Sequence, residues 1–330
     1  MKKKIALVTG GYSGEAIISY RSATTIYNHL EKEKYEVYKI DITPAGWFYE
    51  DENGAKTEVN KNDFSISAGG HKVQFDAVFI GMHGTPGEDG KLQGYFDMLN
   101  LPYTSCNAAT SALTFNKRYT VAVAHMAGIP VARSMHLFKN NTYSNDEILS
   151  KLRPPLFVKP NNGGSSIGMS KVNEPSQLQE ALEKAFKEDD QVLVEQMIVG
   201  REFTVGVFKT GNQITVLPIT EVIAHQEKDF FDFEAKYGGK STEVTPAEIA
   251  PDWKEQLEAA ASKIYQVFNC RGVIRIDFIY NAEENRPYML EINTIPGQSD
   301  ASVIPQQVRA KGEKLEDFYS KLLDEALQNH

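Results

Sequence analysis

The chain has 330 residues, 41% hydrophobic and 24% charged, which is enough to bury the cores of two or three packed domains. A formal net charge of −9, with Lys and Arg scattered singly, excludes a nucleic-acid-binding face. Two distant cysteines, Cys106 and Cys270, exclude a disulfide framework, and the apolar run Ile5-Ala6-Leu7-Val8 stops at Gly10-Gly11, too short for a signal peptide or membrane span, so a cytoplasmic protein without membrane partners is expected.

In chain order, a strand at 4–9, a glycine turn at 10–14, a helix over 19–31 and a strand at 35–40 predict a βαβ start. Residues 44–75 read as irregular, with an Asn53-Gly54 hairpin signal, before a strand at 76–81. This first α/β domain is expected to cover 1–105. A second unit, 106–194, contains a helix near 117–127, an extended segment at 155–159, a glycine-rich loop at 161–168 and a strand at 169–172. The helix that follows has capping-box spacing at Ser176-Gln177-Leu178-Gln179 and an apolar stripe of Leu178, Ala181, Leu182, Ala185 and Phe186. The last unit, 195–330, is strand-rich and antiparallel, with helices at 254–268 and 315–327. The fold class is therefore α/β followed by α+β.

The strongest chemical signal is a strand pair. In Val273-Ile274-Arg275-Ile276-Asp277-Phe278-Ile279-Tyr280, Arg275 and Asp277 share a face; in Tyr288-Met289-Leu290-Glu291-Ile292-Asn293, Glu291 and Asn293 share one. Ile274, Ile276, Phe278, Leu290 and Ile292 are expected to point into the core. A hairpin would gather two carboxylates and an amide oxygen, donors suited to magnesium beside nucleotide phosphates. The alternative is a surface strand pair in which Asp277 simply pairs with Arg275. The Pro296-Gly297 turn adds a backbone N–H that could meet developing negative charge.

A second signal is the run from Lys159 to Met169. Gly163 and Gly168 have P-loop spacing, but Met169 stands where that motif requires lysine and the loop leads into a strand, so the P-loop reading fails. The loop's N–H groups and its Ser165 and Ser166 hydroxyls could instead cover phosphates beside Lys159; a plain hairpin connection remains the alternative. Glu195, Glu202, His83 and Glu15 are weak signals singly. Glu15 follows the carboxyl end of the first strand, where α/β sheets gather ligands.

Taken in order, Gly10-Gly11 with Glu15, His83-Gly84 to Gln93-Gly94, Lys159-Pro160 through Gly168, Glu234-Ala235-Lys236-Tyr237, Arg275-Ile276-Asp277 and Glu291-Ile292-Asn293-Thr294 resemble D-alanine-D-alanine ligases along nearly the whole chain. The resemblance implies an ATP-grasp fold with an N-terminal open α/β domain of the biotin-carboxylase type. It also implies ATP and two magnesium (or manganese) ions, D-alanine as substrate, an acyl-phosphate intermediate, a role in peptidoglycan precursor synthesis, and a homodimer.

By the same resemblance Lys117, Lys159, Glu195 and Glu202 would hold ATP with the backbone near Ile198, and Asp277, Glu291 and Asn293 the metal. Glu15, linked to Ser165 and Tyr237, would orient the first D-alanine beside His83. Lys236 would stabilise the transferring phosphate, Arg275 and the Gly297 N–H would form an oxyanion hole, and Ser302 with the Val303 backbone would grip the second carboxylate. The sequence departs from the family at Ala16-Ile17 and at Gln298-Ser299-Asp300-Ala301. Asp300 is expected to put negative charge near the second-substrate pocket, so a ligase using another second amino or hydroxy acid stays open, although Tyr237 weighs against a depsipeptide-forming enzyme. A non-catalytic nucleotide-binding regulator is the alternative of another class; the metal-ligand set and both lysines, Lys159 and Lys236, weigh against it.

Overall fold

Apolar runs broken by glycine turns build three main sheets in succession, and the computed structural model describes residues 2–164, 167–224 and 241–328. In β1 (Lys3–Gly10), Ile5, Ala6, Leu7 and Val8 are fully buried, as an interior parallel strand covered on both faces requires. α1 (Ala16–His29) crosses to β2 (Tyr35–Thr43), which pairs parallel with β1. The helix begins three residues before the expected start because its N-terminus carries no side-chain cap to mark it.

Residues 44–75 are not irregular. They contain β3 (Gly46–Glu50), β4 (Lys56–Glu58), β5 (Ile66–Ala68) and β6 (His71–Val73), strands too short for periodicity to register; β3 and β4 form the hairpin signalled by Asn53-Gly54. β7 (Ala77–Ile80) pairs with the other side of β1, giving the order β4-β3-β2-β1-β7. α2 (Lys91–Met98), α3 (Ala108–Phe115) and α4 (Lys117–Met126) follow, the last as expected. Asn107 and Asn116 cap α3 and α4 by accepting the N–H groups of Thr110 and Tyr119.

The second sheet comprises β8 (Ser134–Phe138), β9 (Leu156–Pro160), β10 (Ser170–Val172) and β11 (Gln191–Gln196) in the antiparallel order β10-β9-β11-β8, with α5 (Asn145–Lys151) and α6 (Leu178–Glu188) between strands. α6 buries Leu178, Ala181, Leu182 and Ala185 against this sheet, and Phe186 packs at the edge. Its capping box is not at Ser176. A 3-10 turn over Pro175–Gln177 precedes α6, and Glu174 is the cap, with Gln177 Oε1 accepting the Glu174 N–H at 3.0 Å. Pro175 at the first helical position moves the start upstream of the serine.

The third sheet is built from β12 (Arg201–Thr210), β13 (Gln213–Val216), β14 (Thr220–Ala224), β15 (Ser241–Val244), β16 (Ile274–Asn281) and β17 (Arg286–Asn293), in the order β15-β14-β12-β16-β17 with β13 on β12. α7 (Pro251–Val267) covers one face together with α3 and α4, closing a core that includes Phe203, Val205, Ile264, Ile274, Ile276 and Phe278. Each such side chain contributes about 1.5–3 kcal/mol of burial. Leu290 does not join this core: the register shifts between Asp277 and Phe278, Phe278 pairs with Met289, and Met289 takes the buried place while Leu290 is half-exposed.

α8 (Val303–Ala310) and α9 (Leu315–Gln328) close the chain. Phe318, Tyr319, Leu322 and Leu323 of α9 share a core with Ile5, Phe79 and Ile26, so the last helix is packed against the first sheet. Among the described residues no helix is long and apolar enough to cross a membrane. Gln307 of α8 is fully buried; its Oε1 accepts the Gly206 N–H at 3.0 Å, and its Nε2 donates to the Thr204 carbonyl and Thr220 Oγ1, both at 3.0 Å. Gln307→Leu would leave these groups buried without their partner and is expected to cost about 2–4 kcal/mol, read as a lower urea midpoint at unchanged slope.

Candidate active site

A cavity of about 360 Å³ is lined by the start of α1, the loop after β7, the α3–α4 junction, the glycine-rich loop after β9, strands of the third sheet and the segment from β17 into α8. Cross-strand register builds its floor. Asp277 on β16 lies opposite Glu291 on β17 and Thr204 on β12, and Arg275 lies opposite Asn293. Asp277 is 7% exposed; it accepts from Thr204 Oγ1 at 2.5 Å, from Arg275 Nε and Nη2 at 2.9 and 2.8 Å, and from Asn293 Nδ2 at 3.3 Å. The Arg275–Asp277 pair foreseen as the simple surface alternative is therefore present, but it lies inside the cavity.

Further lining comes from α1 and from the loop after β7, segments that follow strands of the first sheet. Glu15, at the N-cap of α1, lies beside Gly84, where an added Cβ would come within 2.6 Å of Glu15 Oε2 and where φ is +67°. Gly164 approaches Glu15 from the glycine-rich loop, with an added Cβ 2.8 Å from Oε1, so both contacts require the absence of a side chain. Glu88 accepts the Gly84 N–H at 2.9 Å, and burial together with the neighbouring Glu15 carboxylate pushes it up to about 8.

His83 is buried at the junction between α1 and the loop after β17. Its backbone N–H donates to Ser19 Oγ at 2.9 Å and its Nε2 lies 2.9 Å from Ser22 Oγ. Ser22 Oγ accepts the Gln298 N–H at 3.1 Å, and the imidazole hydrogen-bonds the Ile295 backbone. The Ser22 contact is satisfied whichever of the two groups donates, and it is burial that favours the neutral ring. Burial, reinforced by the Arg275 charge, lowers His83 to about 4.

Of the residues expected from the sequence, Glu15, His83, Lys117, Glu202, Arg275, Asp277, Glu291, Asn293, Gly297, Ser302 and Val303 line this cavity. Lys159 and Glu195 lie outside its lining on adjacent strands, paired with each other at 2.5 Å, and Ile198 is in the β11–β12 connection. Lys117 Nζ donates to the Gly163 carbonyl at 2.7 Å, tying α4 to the glycine-rich loop. Ser165, Ser166, Lys236 and Tyr237 lie outside the described residues. Glu88, Thr204 and Arg21 also line the cavity and were not anticipated. An acid inside the glycine-rich 84–90 turn was the available signal for Glu88; Thr204 could be found only through strand register.

Asp300 does not line the cavity. Its carboxylate accepts Arg309 Nη2 at 2.7 Å and its carbonyl accepts Nη1 at 2.9 Å, so the charge expected near the pocket is matched at the surface, where Asp300 caps no part of the site. Gln298 is also turned away, its Oε1 accepting from the Tyr319 hydroxyl at 3.2 Å.

Two family models match the chain, D-ala D-ala ligase N-terminus over residues 4–106 and D-ala D-ala ligase C-terminus over residues 123–324. The chain is 44% identical to a D-alanine--D-alanine ligase of Parabacteroides distasonis over 329 residues, covering 100% of this chain and 99% of the relative. Among solved structures, D-alanyl-alanine synthetase A from Vibrio cholerae superposes with a TM-score of 0.88 at 30% identity over 99% of both chains. The VanG D-Ala:D-Ser ligase from Enterococcus faecalis superposes at 0.87 and 30% identity, over 98% of this chain and 99% of that one.

Because the unfolded chain holds His83 at its ordinary value while the folded chain holds it near 4, the folded state binds fewer protons between these limits. The contribution is present above about pH 6.5 and is lost as pH falls toward 4, by roughly 1–2 kcal/mol between pH 6.5 and 5. Urea unfolding of wild type and His83→Gln at both pH values checks this: the substitution is expected to remove that part of the pH dependence.

Proposed function

The chain belongs to the D-alanine-D-alanine ligase family, and we propose that it joins two D-alanines into D-alanyl-D-alanine at the expense of ATP, supplying peptidoglycan precursor. It has the ATP-grasp fold shared by that family. The observation that supports the reading is that one cavity is lined by Glu15, Arg275, Asp277, Glu291, Gly297 and Ser302, to which this reading gives the roles of substrate-orienting acid, acidic pair and oxyanion donors.

In this reading Glu15 holds the ammonium of the first D-alanine, with His83 beside it and Ser165 and Tyr237 completing the support. Lys117, Lys159, Ser165, Ser166, Glu195, Glu202 and the backbone near Ile198 hold ATP, and Lys236 meets the transferring phosphate. The first carboxylate attacks the γ-phosphorus, ADP leaves, and an acyl phosphate results. Arg275 and the Gly297 N–H stabilise the oxyanion when the deprotonated amine of the second D-alanine attacks the acyl carbon. The C–N bond forms, the C–O bond to phosphate breaks, and phosphate departs. Ser302 and the Val303 N–H hold the second carboxylate.

Asp277, Glu291 and the Asn293 amide oxygen would offer a hard oxygen donor set from one face of β16 and β17, a chemistry that suits magnesium or manganese. Two such ions would be held there, and their chemistry is to neutralise charge on the nucleotide phosphates. The same reading takes the protein to be cytoplasmic and a homodimer, on the strength of the family resemblance; light scattering of the purified chain tests the second point.

Purified protein with ATP, magnesium and D-alanine is expected to release phosphate and form D-alanyl-D-alanine, measured by mass spectrometry of the product. Turnover confined to D-alanine with a second amino acid such as D-serine would move the assignment toward the D-Ala:D-Ser type, which the likeness to that structure keeps in view. Asp277→Ala is expected to cut phosphate release at least about a hundredfold with an unchanged far-UV spectrum; wild-type turnover would remove Asp277 from the metal set.

A further inference from the structure

The positions at which this sequence departs from its family do not all face the substrate. Ala16, Ile17, Gln298 and Asp300 are absent from the cavity lining, whereas α1 contributes Glu15, Ile18 and Arg21 to it. Arg21 has no hydrogen bond or ion pair among the described residues, while the other two lining cations are engaged: Arg275 by Asp277, and Lys117 by the Gly163 carbonyl.

The turn of α1 that carries Arg21 is tied to the loop before α8. Ser22, the next residue, accepts the Gln298 N–H at 3.1 Å, which holds this turn of α1 against the loop that leads through Gly297 and Ser302 into α8. The Ser302 side chain does not cap α8. Its hydroxyl pairs with Ser299 Oγ at 2.7 Å, leaving the start of the helix without a side-chain cap, and Ser302, Val303 and Ile304 line the cavity. The start of α8, which no side chain caps, and the solvent-exposed Arg21 guanidinium thus line one cavity, together with Glu243, whose carboxylate accepts from Gln306 of α8 at 2.7 Å.

We propose that Arg21 is a specificity-determining residue of the acceptor subsite, its guanidinium pairing with the α-carboxylate of the second amino acid while the N-terminus of α8 receives the same group. This rests on the ligase reading above. The acceptor must lose its ammonium proton before it attacks, which leaves it a net anion in a cavity lined by six carboxylates and three cations. A helix terminus supplies only about half a charge. A free guanidinium supplies a whole one, in a fork that matches a carboxylate and does not match an amide. The consequence is selection for acceptors with a free α-carboxylate.

The test uses the full-length enzyme with ATP, magnesium, D-alanine as donor, and D-alanine and D-alaninamide competing as acceptors; the ratio of the two products is read by mass spectrometry. Arg21→Ala is expected to raise the second-site KM for D-alanine about ten- to a hundredfold and to shift the product ratio toward the amide by about tenfold or more. The KM for ATP and the first-site KM stay unchanged, and Arg21→Lys recovers part of the preference. An unchanged product ratio in an active Arg21→Ala enzyme, or an equal loss with both acceptors, overturns the assignment, as does a rise in the KM for ATP. A wild-type chain that forms no dipeptide overturns the ligase reading and Arg21's role with it, so the two failures are distinct.

Discussion

The cavity depends on one buried serine. Ser22 Oγ takes the Gln298 N–H from the end of the chain and meets the His83 imidazole from the loop after β7, while His83 reaches the Ile295 backbone. Three segments far apart in sequence, α1, the 83–90 turn and the 295–298 loop, are thereby fixed to one another by polar groups that have no access to water. Each would carry a desolvation cost if separated, so the junction is satisfied as a unit or not at all. Glu15, Gly297 and Ser302 take their mutual positions from it.

The acidic floor is held from behind in a comparable way. Thr204 donates its hydroxyl to Asp277 on the cavity side and lends its carbonyl to Gln307 on the other, so α8 and the carboxylate are coupled through one residue of β12. The register shift after Asp277 keeps Glu291 opposite Asp277 while moving Met289 into the core. A regular hairpin would have put Leu290 in that place, so the bulge reconciles core packing on one face with a donor set on the other.

The electrostatics of the site follow from this crowding. Carboxylates outnumber cations in the lining, and Glu88, half-buried and under the influence of the Glu15 charge, takes up a proton well above the usual carboxylate range. His83 behaves oppositely and stays neutral, because burial and the Arg275 charge both oppose a second positive charge. A substrate bringing ammonium, phosphate and carboxylate groups meets both signs of charge: the Arg275 guanidinium is paired within the acidic floor, Lys117 is held at the glycine-rich loop, and Glu243 adds a carboxylate bonded to α8.

The sequence by itself determined what local pattern can carry. Buried Ile5 to Val8, the alternation around Arg275 and Asp277, the α6 stripe and the ordered motifs were legible because strand and helix periods and glycine turns are properties of neighbouring residues. Short strands between 44 and 75 and the eight-residue helices α2, α3 and α8 were not, since too few residues repeat for a period to show. Tertiary structure alone decided which side chains meet. That Glu88 and Arg21 line the same cavity as Asp277 and Glu291, and that Thr204 bonds Asp277, are consequences of packing between segments tens to hundreds of residues apart, and no local pattern encodes such a distance.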